Sequence, residues 1–330
     1  MRVAVLGGTR FIGRAAVERL AQSGHEVMVV HRGETEPPEL ANVRHLHVPR
    51  TELPGARQQL ADFQPDAVLD SIPLTRTDVD LALQALPEQA RVVVLSSIDV
   101  YRAYSSLMAG RDTDPVPITE SSPVRDQRYP YKGQGRGLED YEKLDVEDAY
   151  RARKATILRL PMVHGAHDRQ RREEFILRRV RNNRHRVPFG SGTWLTCRCY
   201  VGFVADAIQL SLEQPKAVGE VFNIAETQTA SMRLWAEQIL HVAGFEAELV
   251  RVPDDVLPED LSSTGRVAQH LQADASKARA LLGWQPGDPL AGLRKSVAWH
   301  LANPPTEPDP GFDADDRALE HAAKLSTQTE

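Results

Sequence analysis

Gly7-Gly8-Thr9-Arg10-Phe11-Ile12-Gly13 is the stretch whose reading decides the fold. It follows a short apolar run, Arg2 to Leu6, and opens a segment with helical spacing. That segment is Phe11 to Gln22, with Ala15, Ala16, Leu20 and Ala21 recurring three to four apart and Gly24 ending it. A strand, a glycine turn and a helix start in this order make an anion cradle. Gly7 permits the tight turn, Gly8 a close backbone approach, and Gly13 close packing of helix on strand. The free N–H groups and positive dipole end of the helix then face a diphosphate. Thr9, Arg10, Phe11 and Ile12 complete the expected cofactor-binding loop. The plain alternative is a strand-to-helix turn with no ligand.

The end of the second strand refines the cofactor. NAD sites place an acid there for the ribose 2′-hydroxyl. Here the chain reads Val30-His31-Arg32-Gly33, with no acid. An arginine suits a 2′-phosphate through charge-assisted bonds. Arg10 occupies a loop position where glycine is common and approaches the same place. Arg10 and Arg32 together therefore point to NADP, with NAD as the alternative, since Glu34 and Glu36 could still reach a ribose. Two solvated surface arginines are the other reading.

Further strand runs follow at 43–48, 67–70, 92–96 and 156–160. Helical segments fall between them at 55–62, 78–86 and 138–152. Continuous apolar strands separated by helices predict a parallel sheet covered on both faces. The fold class is α/β, a Rossmann-type doubly wound parallel sheet with a smaller C-terminal α/β lobe for substrate. The expected division is a nucleotide domain at 1–160, to which some later segments return, and a lobe at 161–303. A polar, Pro-rich, flexible tail is expected at 304–330, with one helical stretch near 314–324. No internal repeat is evident.

Totals narrow the class. Of 330 residues, 41% are hydrophobic and 26% charged, an ordinary soluble balance. No apolar run approaches the ~20 residues of a membrane span. No secretory leader is expected, and a cytoplasmic, reducing setting is the default. The net charge of -6 argues against a general nucleic-acid binder. Two cysteines, Cys197 and Cys199, are too few for a disulfide framework or a zinc site. His45 and His47 show the same two-residue spacing, but nothing in the sequence joins the two pairs. No metal site is expected.

Three stretches in this order carry a family resemblance: the opening glycine loop, Ser96-Ser97-Ile98-Asp99-Val100-Tyr101, and Leu158-Arg159-Leu160-Pro161-Met162-Val163-His164-Gly165. Together they resemble the extended and atypical short-chain dehydrogenase/reductases, and within them the NAD-dependent epimerase/dehydratase family. Val221 to Ala225 and Asp274 to Pro286 resemble substrate-domain segments of that family. The likeness covers about residues 1–303. It implies a small-molecule substrate, in most members a nucleotide-linked sugar, and a homodimer as an open question. The atypical branch also includes reductases, RNA-associated proteins and members without catalysis.

The resemblance implies a Ser/Thr–Tyr–Lys centre, with Tyr four residues before Lys on one helix. Ser97 matches the Ser/Thr position and Lys143 the Lys, which would also hold the nicotinamide ribose. Four residues before Lys143 stands Glu139. Tyr141 is only two before, and on a continuous helix two residues are ~200° of turn, which points it away from the Lys143 face. Tyr129 and Tyr131 lie upstream on an expected loop. Asp99, two after Ser97, has the offset of the acid–base carboxylate in sugar-nucleotide dehydratases; its plain reading is a turn carboxylate. Glu139 and Lys143 as a surface i,i+4 ion pair is the plain reading of that position.

Pro161 would lie beside the nicotinamide. His164 is a candidate pocket acid or base, and Arg198 falls near the family's diphosphate-binding arginine. Eight arginines lie between Arg169 and Arg186. They read as a solvated helix face, a phosphate clamp or an RNA surface, the last lacking interleaved aromatic platforms. The sequence therefore leads to an NADP-linked epimerase/dehydratase-like enzyme or reductase acting on a sugar derivative or another small hydroxylated or carbonyl compound. A non-catalytic NADP-binding sensor or scaffold and an RNA-associated protein are the alternatives.

Overall fold

Runs such as Val3-Ala4-Val5-Leu6 and Val92-Val93-Val94-Leu95 are apolar on both faces, so the strands they form must be covered on both sides. The computed structural model, which describes residues 1–135 and 137–326, meets that demand. The nucleotide-domain elements are β1 (Arg2–Leu6), α1 (Phe11–Gln22), β2 (Glu26–His31), β3 (Arg44–His47), α2 (Arg57–Phe63), β4 (Ala67–Asp70), α3 (Arg76–Ala85) and β5 (Arg91–Ser97). They continue with α4 (Arg102–Met108), α5 (Lys143–Arg151) and β6 (Thr156–Leu160). Then come β7 (Met162–His164), α6 (Glu174–Arg181), β8 (Arg186–Phe189), β9 (Arg198–Tyr200), α7 (Val201–Glu213) and β10 (Val221–Asn223). The chain closes with α8 (Met232–Ala243), β11 (Glu248–Arg251), α9 (Ser276–Leu282), α10 (Pro289–Ala302) and α11 (Asp313–Ser326).

Seven strands form one parallel sheet in the order β10-β6-β5-β4-β1-β2-β3. The order reverses between β1 and β4, which leaves a crevice beyond their C-terminal ends. One apolar cluster covers one face, including Val3, Val5, Ala16, Val17 and Leu20; a second covers the other with Ala4, Leu6, Phe63, Val79 and Tyr150. Late segments return to this domain: β10 joins the sheet and α7 packs on α1. A third cluster, with Phe175, Phe189, Trp235 and Leu293, forms the core of the smaller lobe.

Two expectations change. The helix expected at 138–152 begins only at Lys143, with Glu142 as its N-cap accepting from Leu144 N at 2.9 Å. The expected flexible tail is docked through its described part. Buried Arg179 of α6 donates to Asp315 of α11 at 2.7 and 2.8 Å, and Arg178 donates to Asp309 at 3.0 Å. A buried guanidinium demands a carboxylate partner, and the tail supplies it. Residues 327–330 lie outside the described residues. No described helix is long and apolar enough to cross a membrane.

Candidate functional site

The glycine loop lies at the strand-order reversal. Gly8 has φ of +114°, and a Cβ there would meet Val5 and Val17 side chains at 3.0 Å. A Cβ on Gly13 would come within 2.8 Å of Gly8 Cα and N, so two backbones touch at the helix start. Only glycines make this cradle, and the residues fit the diphosphate of a dinucleotide. Arg10 is exposed, and its guanidinium donates to Thr35 Oγ1 at 3.0 Å. Arg32 is exposed too and pairs with Glu34 at 2.7 Å. Thr9, Arg10 and Thr35 line a cavity of ≈ 570 Å³ with His167, Trp299 and Pro304.

The second group gathers where β5 ends. Ser97, half-buried, accepts from Asp99 N at 3.2 Å. Asp99 is buried, and its Oδ2 accepts from Tyr141 at 2.7 Å and from Tyr131 at 3.2 Å. The Tyr131 hydroxyl also meets that of Tyr104 at 2.9 Å. Asp99 Oδ1 is buried with no hydrogen-bond partner among the described residues. Burial raises the Asp99 pKa against the hydrogen bond from Tyr141 and the charges of Arg125 and Lys143. Burial and Asp99 push the Tyr141 phenol well above its usual pKa, with a side-chain hydrogen bond to Ser97 opposing them.

Lys143 starts α5 and is buried. Its Nζ donates to Pro73 O at 2.6 Å and Leu95 O at 3.0 Å. Burial lowers its pKa to about 8, with the charges of Asp99 and Asp70 opposing the shift. Its Nζ stands 5.9 Å from the centre of the Tyr141 ring. Ser97, Asp99, Tyr141 and Lys143 thus come together, and the helical-turn argument against Tyr141 fails. Tyr141 precedes the N-cap, so the ~100° per-residue rule does not govern its direction. Glu139 is exposed, off the helix, and accepts from Gly133 N at 2.7 Å; it forms no ion pair with Lys143 among the described contacts. Tyr150 is structural, buried on Asp70 at 2.6 Å.

Sequence reasoning missed the pair that aligns this site. Arg125 and Glu142 are both fully buried and joined at 2.8 Å, and Arg125 Nε donates to Asp99 O at 3.0 Å. It also missed Arg172 within the basic segment. Burial lowers the pKa of Arg172, and Tyr104 and Tyr131 are among the groups whose charge it feels. Its Nε has no hydrogen-bond partner among the described residues, with Asp168 Oδ2 3.9 Å away. Arg172 lines a cavity of ≈ 760 Å³ with Met162, Phe175, Trp194 and Trp235. Its place beside Tyr104, Tyr131 and the cavity comes from tertiary packing and is not a sequence signal.

His164 and Arg198 meet elsewhere. With Glu226, Thr229 and Trp235 they line a smaller cavity of ≈ 170 Å³, whose lining includes none of the Asp99 group. His164 is buried, which opposes its charge, but Glu173 at 3.2 Å and Glu226 at 3.8 Å outweigh burial and raise its pKa to about 9. Arg198 donates to Ala230 O at 2.9 Å and stacks 4.1 Å from the Trp235 ring centre. Pro161 is buried between β6 and β7. Cys197 and Cys199 are buried, and burial pushes the Cys197 thiol up to about 11, so neither is poised as a nucleophile.

The model of the NAD dependent epimerase/dehydratase family matches residues 3–225. The chain is 25% identical to the chloroplast stem-loop binding protein of 41 kDa b of Arabidopsis thaliana, over 96% of this chain and 84% of that protein. It is 30% identical to 2′-dehydrokanamycin reductase of Streptomyces kanamyceticus, over 36% of this chain and 34% of the relative. Among solved structures, a UDP-glucose 4-epimerase from Stenotrophomonas maltophila, with bound NAD and formylated UDP-arabinopyranose, superposes with a TM-score of 0.67 at 20% identity. That match covers 92% of this chain and 98% of the other.

Proposed function

From the premise that this chain belongs to the NAD dependent epimerase/dehydratase family, we propose that it is a nicotinamide-dinucleotide enzyme acting at a hydroxyl or carbonyl carbon of a sugar derivative or similar small compound. One observation carries the reading: the Tyr141 hydroxyl, 2.7 Å from buried Asp99 Oδ2, beside Ser97 and Lys143. The glycine cradle of Gly7, Gly8 and Gly13 would hold the diphosphate, with Thr9, Phe11 and Ile12 in the turn. Arg10, with Thr35, and Arg32 favour NADP over NAD through a 2′-phosphate. When bound, the cofactor supplies hydride transfer.

The chain's own residues handle the proton. Ser97 Oγ positions the substrate oxygen. The Tyr141 hydroxyl takes the substrate proton as its own proton moves to Asp99 Oδ2; the return transfer reverses both. Burial raises the Asp99 pKa, which makes its carboxylate a stronger base than an exposed one. Tyr131 and Tyr104 extend the hydrogen-bond chain. Lys143, held on Pro73 O and Leu95 O, sets a positive field beside the phenol, and Pro161 would lie beside the nicotinamide when the cofactor is bound. Arg172 and the aromatic cavity beside it suit an anionic substrate, and His164 and Arg198 shape the smaller cavity of the lobe.

Tyr141→Phe tests the reading. With NADPH and a panel of sugar and small carbonyl substrates, turnover falls by about 10²–10⁴ while NADPH affinity is unchanged. Full turnover in that variant overturns the role of Tyr141. An unmodified protein that binds NADPH but turns over no substrate in the panel favours a cofactor-binding sensor.

RNA association, the alternative reading of the arginine-rich segment, has less support in the geometry, although the Arabidopsis relative is named a stem-loop binding protein. Arg178, Arg179, Arg181 and Arg184 are already held by Asp309, Asp315, Glu174 and Asp316.

A further inference from the structure

Strand register brings together what the sequence leaves apart. β2 and β3 run parallel with Val29 opposite His45 and His31 opposite His47. Side chains alternate along a strand, so residues 31, 45 and 47 share one face of the sheet. The loop between the strands returns Glu36 to the same face. The four ligand-capable atoms all lie within 4.8 Å of one another. His31 Nε2 is 2.9 Å from His45 Nδ1 and 3.4 Å from Glu36 Oε1; His45 Nδ1 is 3.6 Å from the same oxygen. His47 Nε2 bonds that oxygen as well.

We propose that His31, Glu36, His45 and His47 form a site for a divalent first-row transition metal, zinc best among them. A tetrahedral ion with ~2.0–2.1 Å bonds to nitrogen and oxygen needs ligand atoms ~3.3–3.4 Å apart, and the separations here straddle that value. Three imidazoles and one carboxylate are a donor set suited to zinc and poorly suited to calcium or magnesium. The support around the donors is also present. His45 Nε2 faces Leu40 O at 2.9 Å, which places its proton there and leaves Nδ1 free to ligate. His31 is buried beneath the site, while His47 and Glu36 are exposed enough to leave an entry path.

Without an ion the rings share protons: Gly33 N donates to His31 Nδ1 at 3.2 Å, and His31 Nε2 meets His45 Nδ1. Ion binding replaces the ring-to-ring bond, shifts the His31 proton to Nδ1 and opens the long Gly33 contact. The ion then ties the loop carrying Thr35, the partner of Arg10, to the sheet. The proposal stands independently of turnover.

The test uses full-length, tag-free protein titrated with Co²⁺, followed by Zn²⁺ competition against a chromogenic chelator. One equivalent of Co²⁺ should give the intense visible bands of tetrahedral coordination, and Zn²⁺ should displace it. His47→Ala and Glu36→Gln, both at exposed positions that leave the core intact, should each weaken binding by more than the ~10–100-fold lost with a supporting partner. Absence of stoichiometric Co²⁺ and Zn²⁺ binding overturns the proposal. Stoichiometric binding that both variants retain at full affinity also overturns it, because the ion then sits elsewhere.

Discussion

Arg125 and Glu142 face each other with no exposed side-chain surface, and between them they hold both halves of the Asp99 site. Arg125 bonds the main-chain oxygen of Asp99; Glu142 caps the helix that begins with Lys143 and accepts from Tyr129 N at 2.7 Å. The pair spans the whole loop from residue 125 to 142, so Tyr131 and Tyr141 are oriented by an interaction that neither makes directly.

Glu142→Gln should therefore be costly twice. It leaves the Arg125 guanidinium buried without its charge partner, a loss of about 3–5 kcal/mol of stability. It also frees the start of α5, so turnover should fall where folding persists. Urea unfolding and steady-state rates read the two effects separately.

Gly13→Ala should destabilise the nucleotide domain before any ligand is added. Its Cβ would stand 2.8 Å from the Gly8 backbone, which has no side chain to move aside. A loss of about 1–3 kcal/mol is expected, as in overpacked cores, together with weakened cofactor binding. A Gly13→Ala protein of native stability and affinity would contradict this packing.

Arg10→Ala should weaken NADPH binding by about 10–100-fold, the equivalent of a lost charge-assisted hydrogen bond of ~1.5–3 kcal/mol, while leaving NADH nearly unchanged. Calorimetric titration with both cofactors measures the ratio. An equal loss for both would assign Arg10 to the diphosphate and remove the argument for NADP.

His164 links stability to pH. Its folded pKa of about 9 lies above the ordinary 6.5, so the folded state holds the proton more tightly. The resulting stabilisation is fully present below about pH 6.5 and is lost as pH rises through 9. Native protein and His164→Gln should differ by on the order of 3 kcal/mol at pH 6 and converge by pH 10. Denaturant midpoints across that range supply the measurement.

Asp315→Ala should release the tail and leave Arg179 buried with only part of its partner set, Asp260 remaining at 2.6 Å. The expected cost is about 1–3 kcal/mol, and limited proteolysis should cleave near residues 304–312. Unchanged protease resistance would mean that the remaining contacts, Arg178 on Asp309 at 3.0 Å and over Phe312 at 4.6 Å, suffice to hold the segment.

Local pattern determined much of this protein. Gly7 to Gly13 specified strand, turn and helix because each needs only short-range sterics and a few free N–H groups. The parallel sheet followed from apolar runs such as Val92 to Leu95, which must be buried on both faces. Ser97 and Lys143 were singled out only by their resemblance to the family's Ser/Thr and Lys positions; no local pattern marked Lys143, which the helical spacing placed inside a longer helix. What only the tertiary structure decided is where distant segments meet. Helical periodicity ran the α5 helix back to 138 and turned Tyr141 away; a buried ion pair to Arg125, 17 residues upstream, makes Glu142 the cap and turns Tyr141 onto Asp99. The arginines of α6 read as a free basic face until Asp309 and Asp315, more than 130 residues on, neutralise them. His31 and Glu36 join His45 and His47 only through the register of two parallel strands. Spacing along a chain reports hydrogen bonds and faces within one element; pairing between elements is set by burial and charge over the whole molecule, which no short window of sequence contains.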